Sequence, residues 1–366
     1  MADVIRLGII GCGKVCWERH HPALRRTPEF QVRAVCDRDA ARANRIGALF
    51  GAPRVFTNFR KMLADCELEA VAVLTETAAH TEAGVAVLES GKHLFLEKPI
   101  ALTAADARSL IDARERSGRV AQLCFNLRWH RLVRHARELV RQGMVGEVKA
   151  IQSVYTHDRN GEGAPDWHRK AALGGGVVLN EAVHHHDLWR YLTGQNVSQV
   201  HLRSRPSEAY EDETSVISAS LEGGILATGV FSFLSGPNSE VEIFGDRGRL
   251  LISLYRFDGL QFYSWRTYPG DSIDRLKRGA RALLKLPALV ADARNGGGFQ
   301  ATFAACWRSF GRAIQTGAPV GCTLEDGLRA LEVALAAVVS TRSGLPVDVA
   351  PAGAPAPITR DAGADA

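Results

Sequence analysis

This chain is short of several features, and each shortage removes a class of protein. Its seven cysteines, an odd number, are scattered at 12, 16, 36, 66, 124, 306 and 322, with no CxxC pair and no zinc spacing. That pattern fits neither a disulfide framework nor a structural zinc site, and reads as reduced thiols in a cytoplasmic protein. No apolar run approaches the roughly 18 residues that a transmembrane helix needs. Met1-Ala2-Asp3-Val4 has neither the basic start nor the apolar length of a secretory leader. Charge of one sign is also scarce: a net +5 over 366 residues is too weak to argue for nucleic acid, though it suits a phosphate-bearing ligand. What remains is the composition of a soluble globular protein, 46% hydrophobic and 23% charged, long enough for about two domains.

The chemistry-bearing residues begin at once. Ile5 to Ile10 is an apolar strand running into Gly11-Cys12-Gly13-Lys14-Val15-Cys16. This is the dinucleotide fingerprint with cysteine as its third small residue. Gly11 permits the tight turn, and Gly13 lets a pyrophosphate approach the backbone at a helix N-terminus. The second strand, Val32 to Cys36, ends in Asp37, where an acid takes ribose hydroxyls. Cofactor-binding candidates here are therefore Gly11, Cys12, Gly13, Lys14, Val15, Asp37 and Arg38. Asp37 repels a 2′-phosphate, which favours NAD over NADP, whereas Arg38 could stack on adenine or meet that phosphate.

Strand and helix then alternate. Val71 to Leu74 leads to Thr75…His80, a helix from about Thr81 to Ser90 and the strand Leu94-Phe95-Leu96. Glu97-Lys98-Pro99 follows at the end of that strand. A helix from about Ala104, capped by Thr103, and a last strand, Val120 to Phe125, complete the pattern. Such alternation predicts a doubly wound parallel sheet over residues 1–125, a Rossmann domain with its ligand cleft beyond the carboxyl ends of the strands. Taken alone, Glu97-Lys98-Pro99 is a surface turn; at such a strand end its lysine points into the cleft.

Beyond residue 125 the pattern changes. Arg131 to Gln142 reads as an amphipathic helix and Val148 to His157 as a half-solvated strand. Trp167-His168-Arg169 precedes Gly174-Gly175-Gly176, and a helix carrying Asn180, His184 and Asp187 on one face runs to Gly194. Adjacent helical residues diverge by about 100°, so His184-His185-His186 cannot converge on one ion. No metal is expected, and one acid/base histidine is. Short β-rich runs follow: Gln199–Ser204, Thr214–Leu221, Ile225–Phe233, Ser239–Phe244, Arg249–Ser253 and Leu260–Trp265. They predict one large, mostly antiparallel open sheet in an α+β domain spanning 126–350. Two helices close it, Phe299 to Gln315 and Leu324 to Ser340, the second with a Thr323/Asp326 capping box. Residues 351–366, rich in alanine and proline, read as a loose tail. The basic segment 274–286 reads as an insertion covering the active site or a subunit contact, in preference to a helix on an anionic membrane surface.

Gly11-x-Gly13, Thr75…His80, Glu97-Lys98-Pro99 and the Gly174–Asp187 segment together resemble the Gfo/Idh/MocA family of NAD(P)-dependent oxidoreductases, the glucose–fructose oxidoreductase and inositol dehydrogenase group. The resemblance covers roughly residues 5 to 349. It implies that Thr75 and His80 line the nicotinamide pocket, that Glu97 and Lys98 belong to the cofactor site, and that Lys98 and His184 are catalytic. It also implies a homodimer or homotetramer built on the C-terminal sheet. Two departures stand out: Glu76-Thr77 replaces Pro-Asn, and Asn180 stands where aspartate is common. Asparagine can hydrogen-bond a sugar hydroxyl but cannot accept a proton as a carboxylate can.

The expected activity is hydride transfer between a secondary alcohol of a sugar, cyclitol or nucleotide sugar and nicotinamide. His184, with an ordinary pKa near 6.5, needs little tuning as the base. Asn126, Arg128, Trp167, Arg169, Asn180 and Asp187 are candidates for holding the substrate. Two rivals are a cofactor-binding protein without turnover and an NAD-dependent glycosidase that oxidises in order to eliminate.

Overall fold

The computed structural model describes residues 4–158, 166–266, 272–284, 287, 290 and 297–349; the 351–366 tail lies outside them. Six strands form the first sheet: β1 (Ile5–Ile10), β2 (Phe30–Cys36), β3 (Arg54–Phe56), β4 (Ala70–Val73), β5 (His93–Leu96) and β6 (Ala121–Leu123). All pairings are parallel and the order is β3-β2-β1-β4-β5-β6. The order reverses between β1 and β4, which opens a crevice at the carboxyl ends of these strands. The helices of this half are α1 (His21–Leu24), entered through a π-turn at Cys16–His20, then α2 (Ala40–Phe50), α3 (Phe59–Asp65), α4 (His80–Glu89) and α5 (Ala104–Ser117). Thr103 caps α5 through the Asp106 N–H, as its sequence predicts. β3 was not anticipated: three residues at an exposed edge carry no apolar run to announce them.

The chain continues through α6 (Arg131–Arg141), β7 (Val148–Asp158), α7 (Asp166–Arg169) and α8 (Val183–Thr193), the last preceded by a π-turn at Val178–Ala182. Next come β8 (Val197–Arg205), β9 (Thr214–Leu221), β10 (Leu226–Ser232), β11 (Leu234–Gly245), β12 (Gly248–Ser253) and β13 (Leu260–Ser264). Helices α9 (Ser272–Leu284), α10 (Gly297–Thr316) and α11 (Leu324–Ser343) precede the short strand β14 (Val347–Asp348). The second sheet has eight strands in the order β13-β12-β11-β7-β10-β9-β8-β14, and only the β7–β10 pair is parallel. The expected open, mostly antiparallel sheet is there. One of its faces buries Ile151, Ile217, Phe231, Val241 and Ile243 in a core shared with α8 and α11. Its other face leaves Val216 and Leu226 more than half exposed.

One expectation needs adjustment. Helix α10 does not stay with the second sheet: Trp307 stacks on Phe95 of β5 at 4.0 Å, and Gln122 of β6 donates to the Cys306 carbonyl at 2.9 Å. It thus belongs to the core of the first sheet, a return that periodicity cannot reveal. In the basic segment, Leu276, Leu283 and Leu284 are exposed on α9. The α11 capping box forms as expected.

Candidate active site

The Gly-rich turn is set by backbone geometry. Gly11 has φ +98°, and a Cβ there would lie 2.6 Å from the Leu74 carbonyl carbon, so only glycine lets β1 and β4 come this close. Gly13 differs, because a Cβ there meets nothing within 4 Å. Packing does not demand glycine at that position, whereas a ligand lying against the backbone would. Asp37, at the end of β2, accepts from the N–H of Cys12 at 2.8 Å and of Asp39 at 2.9 Å. Its carboxylate is thereby fixed beside the turn with acceptor capacity to spare for hydroxyls. Cys16 is fully buried and serves as the small packing residue. Lys14 is exposed and pairs with Glu18, and Val15 packs against the core of the first sheet. Arg38 is ion-paired with Glu76. These features fit a dinucleotide.

At the end of β5 the structure brings Lys98, Asn180 and His184 together, although 82 residues separate the first two. Lys98 Nζ donates to the Asn180 carbonyl at 2.5 Å and to Asn180 Oδ1 at 2.9 Å. The Asn180 amide in turn faces His168 Nε2 at 2.5 Å, and the amide, being a donor, makes that ring nitrogen the acceptor. His184 stands one helical turn beyond Asn180, edge-on to Phe125 at 5.5 Å, and keeps 8% exposure. Its Nδ1 is buried without a partner among the described residues, as is Thr75 Oγ1.

The electrostatics correct one expectation. Burial, and after it the Lys98 charge, push His184 down to about 3 rather than leaving it near 6.5. At neutral pH the ring is an uncharged imidazole, able to accept a proton but holding it weakly. His185 is pushed to about 4 and His186 to about 3 by burial. The first lies among Tyr155 and Phe231 and the second against Trp189, so both are core residues.

The glycine triplet and a residue missed in the sequence start the helical segment that bears His184. Asp212, on the β8–β9 connection, accepts from the N–H groups of Val177 at 3.1 Å and Val178 at 3.0 Å. It caps that segment from across the chain. Gly176, at φ +78°, sits beneath it, and a Cβ there would fall 1.6 Å from Asp212 Oδ1. Burial raises the Asp212 carboxyl to about 7 against the pull of those N–H groups. Nothing in the local sequence marks Asp212, because its partners lie about 35 residues away. His168 was likewise passed over, although its position beside Trp167 and Arg169 offered a signal.

Several predicted contacts go elsewhere. Arg128 and Asp187 form a buried bidentate ion pair, and Arg128 Nη1 also reaches Asp326 at 2.8 Å and the Gly321 carbonyl at 3.2 Å. With their polar atoms committed to one another, this pair ties α8 to α11 rather than presenting groups to a sugar. Asn126 donates to Thr302 Oγ1 at 2.9 Å. His80 is fully buried between the Pro99 carbonyl at 2.8 Å and the Thr75 carbonyl at 3.1 Å. Burial lowers its pKa, and the neutral ring has one N–H, so it donates to one of these carbonyls and lies against the other. Glu97 is also buried, with its oxygens taken by His20 at 2.8 Å and the Lys98 N–H at 2.9 Å. Trp167 is half-buried against His168, and the Arg169 carbonyl accepts from Glu211.

Comparison with known proteins agrees with this architecture. Residues 5–125 match the family described as "Oxidoreductase family, NAD-binding Rossmann fold", and residues 133–251 match the "GFO/IDH/MocA C-terminal domain". An uncharacterized oxidoreductase of Rhizobium meliloti is 31% identical over 67% of this chain and 73% of its own. A dTDP-3,4-didehydro-2,6-dideoxy-alpha-D-glucose 3-reductase of Saccharopolyspora spinosa is 28% identical over 69% of this chain and 75% of its own. Among solved structures, the WlbA dehydrogenase of Bordetella pertussis, in complex with NADH and UDP-GlcNAcA, superposes with a TM-score of 0.79 at 19% identity. That match covers 96% of this chain and 99% of the other. With both of its sheets matched and its Gly-rich turn and lysine-bearing strand end in place, this chain belongs to the Gfo/Idh/MocA family of NAD-binding oxidoreductases.

Proposed function

We propose that this protein is an NAD-dependent dehydrogenase or reductase acting on a secondary alcohol of a sugar, cyclitol or nucleotide sugar. The observation that carries the reading is the cluster of Lys98, Asn180, His168 and His184 at the carboxyl end of β5, beside the Gly-rich turn. The Saccharopolyspora relative, which bears the name of a nucleotide-sugar reductase, points to the same substrate class.

Bound NAD supplies the hydride acceptor, held by the Gly11–Gly13 turn with Asp37 on a ribose. Asp37 carries the preference for NAD, and Arg38, already paired with Glu76, is not committed to a 2′-phosphate. Lys98 hydrogen-bonds the reacting oxygen of the substrate and stabilises negative charge as it develops there. The uncharged His184 receives the hydroxyl proton in the oxidative direction. Its weak basicity, set by burial and the Lys98 charge, means that the proton is held only briefly before it passes to water. Asn180 and His168 orient Lys98. The outer face of the second sheet, with Val216 and Leu226 exposed, is where a second copy packs.

The experiment mixes the protein and NAD with a panel of sugars, cyclitols and nucleotide sugars and follows NADH absorbance. Turnover on at least one member is expected. Cofactor binding with no redox change across the panel would sink the proposal in favour of a non-catalytic role, and net bond cleavage without NADH accumulation would favour the eliminating glycosidase.

A further inference from the structure

Glu97 and Lys98 are neighbours in sequence, yet one is buried and the other reaches the cleft. What holds Glu97 lies on a different element. His20, at the end of the π-turn that follows the Gly-rich turn, is wholly buried and in edge-on contact with Phe95 at 5.8 Å, Phe303 at 5.3 Å and Trp307 at 5.8 Å. An indole N–H can only donate, so the Trp307 Nε1 contact at 3.2 Å makes His20 Nδ1 an acceptor. His20 Nε2 then carries the proton and donates it to Glu97 Oε1 at 2.8 Å. The other Glu97 oxygen accepts the Lys98 backbone N–H at 2.9 Å. Burial alone would push the Glu97 carboxyl up, but the His20 hydrogen bond, the Lys98 charge and the Lys98 backbone N–H hold it below the usual range. It is therefore an oriented anion set directly behind the lysine turn.

The geometry points to His20 as a positioning residue: through Glu97 it fixes the turn that aims Lys98, and it joins that turn to the phosphate-binding element and to α10. An apolar side chain would fill the aromatic cage equally well, and a buried polar pair in such a cage is costly unless every atom is satisfied. Here every ring nitrogen and both carboxylate oxygens are satisfied. The pair's distinctive contribution is direction, imposed on the Lys98 peptide. Cys124, just beyond β6, also approaches, and the three ligand-type atoms of His20, Glu97 and Cys124 lie within 4.8 Å of one another. The His20 nitrogens, however, are already engaged by the indole and the carboxylate. The inference rests on Lys98 being the active-site cation of the proposed reaction.

The test compares His20→Phe, which fills the cage without a donor, with His20→Gln, whose amide reaches the place of Nε2. His20→Asn, too short to reach Glu97, keeps the comparison informative even if the phenylalanine variant does not fold. The readouts are kcat and KM, the melting temperature, and the rate at which an amine-reactive reagent labels Lys98 in the substrate-free protein, read by peptide mass spectrometry. His20→Phe and His20→Asn should lower kcat about tenfold or more, shift Lys98 labelling by about threefold and leave KM for NAD within about threefold. His20→Gln should recover most of both losses, even where its melting temperature is as low as that of His20→Asn. Glutamine and asparagine variants that decline together in step with melting temperature, or a His20→Phe protein with parental kcat and labelling, would overturn the inference. Absence of turnover in the parent refutes the proposed function instead, and the labelling comparison then decides the role of His20 by itself.

Discussion

Replacing Lys98 by methionine tests the site at its centre, because it removes the charge and keeps the length of the side chain. In the folded protein the lysine makes two hydrogen bonds, to the carbonyl and the side-chain oxygen of Asn180. A hydrogen bond to a charged group contributes about 1.5–3 kcal/mol. Lys98 is only half-buried, however, so solvent screening brings the expected stability loss to about 2 kcal/mol for both together. The effect on turnover should be much larger: a fall in kcat of about 10²–10⁴, the usual contribution of a positioned acid or base, or about 3–5 kcal/mol of barrier. A third consequence is local. The Lys98 charge is the second cause, after burial, of the depressed His184 pKa, so its loss should raise that pKa from about 3, while burial keeps it below 6.5. Steady-state kinetics, urea unfolding and a histidine ring titration by NMR measure the three effects separately. Full turnover by Lys98→Met with NAD bound would refute the assignment, and an unmoved His184 titration would refute the electrostatic coupling.

Gly176→Ala should destabilise by about 3 kcal/mol or more, because its Cβ would overlap Asp212 at a positive φ; a melting temperature within a degree or two of the parent's would contradict this. Stability should also respond to pH with two opposing slopes. His184, His185 and His186 have folded pKa values below their unfolded ones, so stability falls as pH drops from about 6.5 toward 3–4. Asp212 is raised to about 7, so its contribution is present below its unfolded value near 4 and is lost as pH rises through 7. Three groups outweigh one, and urea midpoints should be lower at pH 5 than at pH 7. In Asp212→Asn that acid loss should steepen, and an unchanged pH dependence would rule out Asp212 as the opposing group. Asp37→Ser should weaken NAD binding by about tenfold, the loss of about 1.4 kcal/mol from a charge-assisted contact, while narrowing the preference over NADP. Titration by fluorescence reads both, and equal NAD affinity in the variant would remove Asp37 from the site.

Much of this molecule was legible because it is local. The βα alternation, the Gly11–Gly13 turn, the Thr103 and Thr323 caps and the β-rich runs after residue 197 all follow from periods and cap chemistry, which act over a few residues. Lys98 and His184 were singled out on other grounds: their flanking motifs resemble a known family, so the expectation that they work together across 86 residues of sequence did not come from spacing. The sequence by itself thus determined the two sheets and the cofactor class. Only the tertiary structure decided which polar groups face the cleft. Arg128, Asp187, His80 and Glu97 looked equally available in one dimension, yet each turns its polar atoms into the core. His20, His168 and Asp212 looked ordinary and turned out to hold Glu97, Asn180 and the helix N-terminus. The physical reason is that a buried polar atom must find a partner wherever the fold places one, and those partners stand 12, 35, 77 and 287 residues away, beyond the reach of any local pattern.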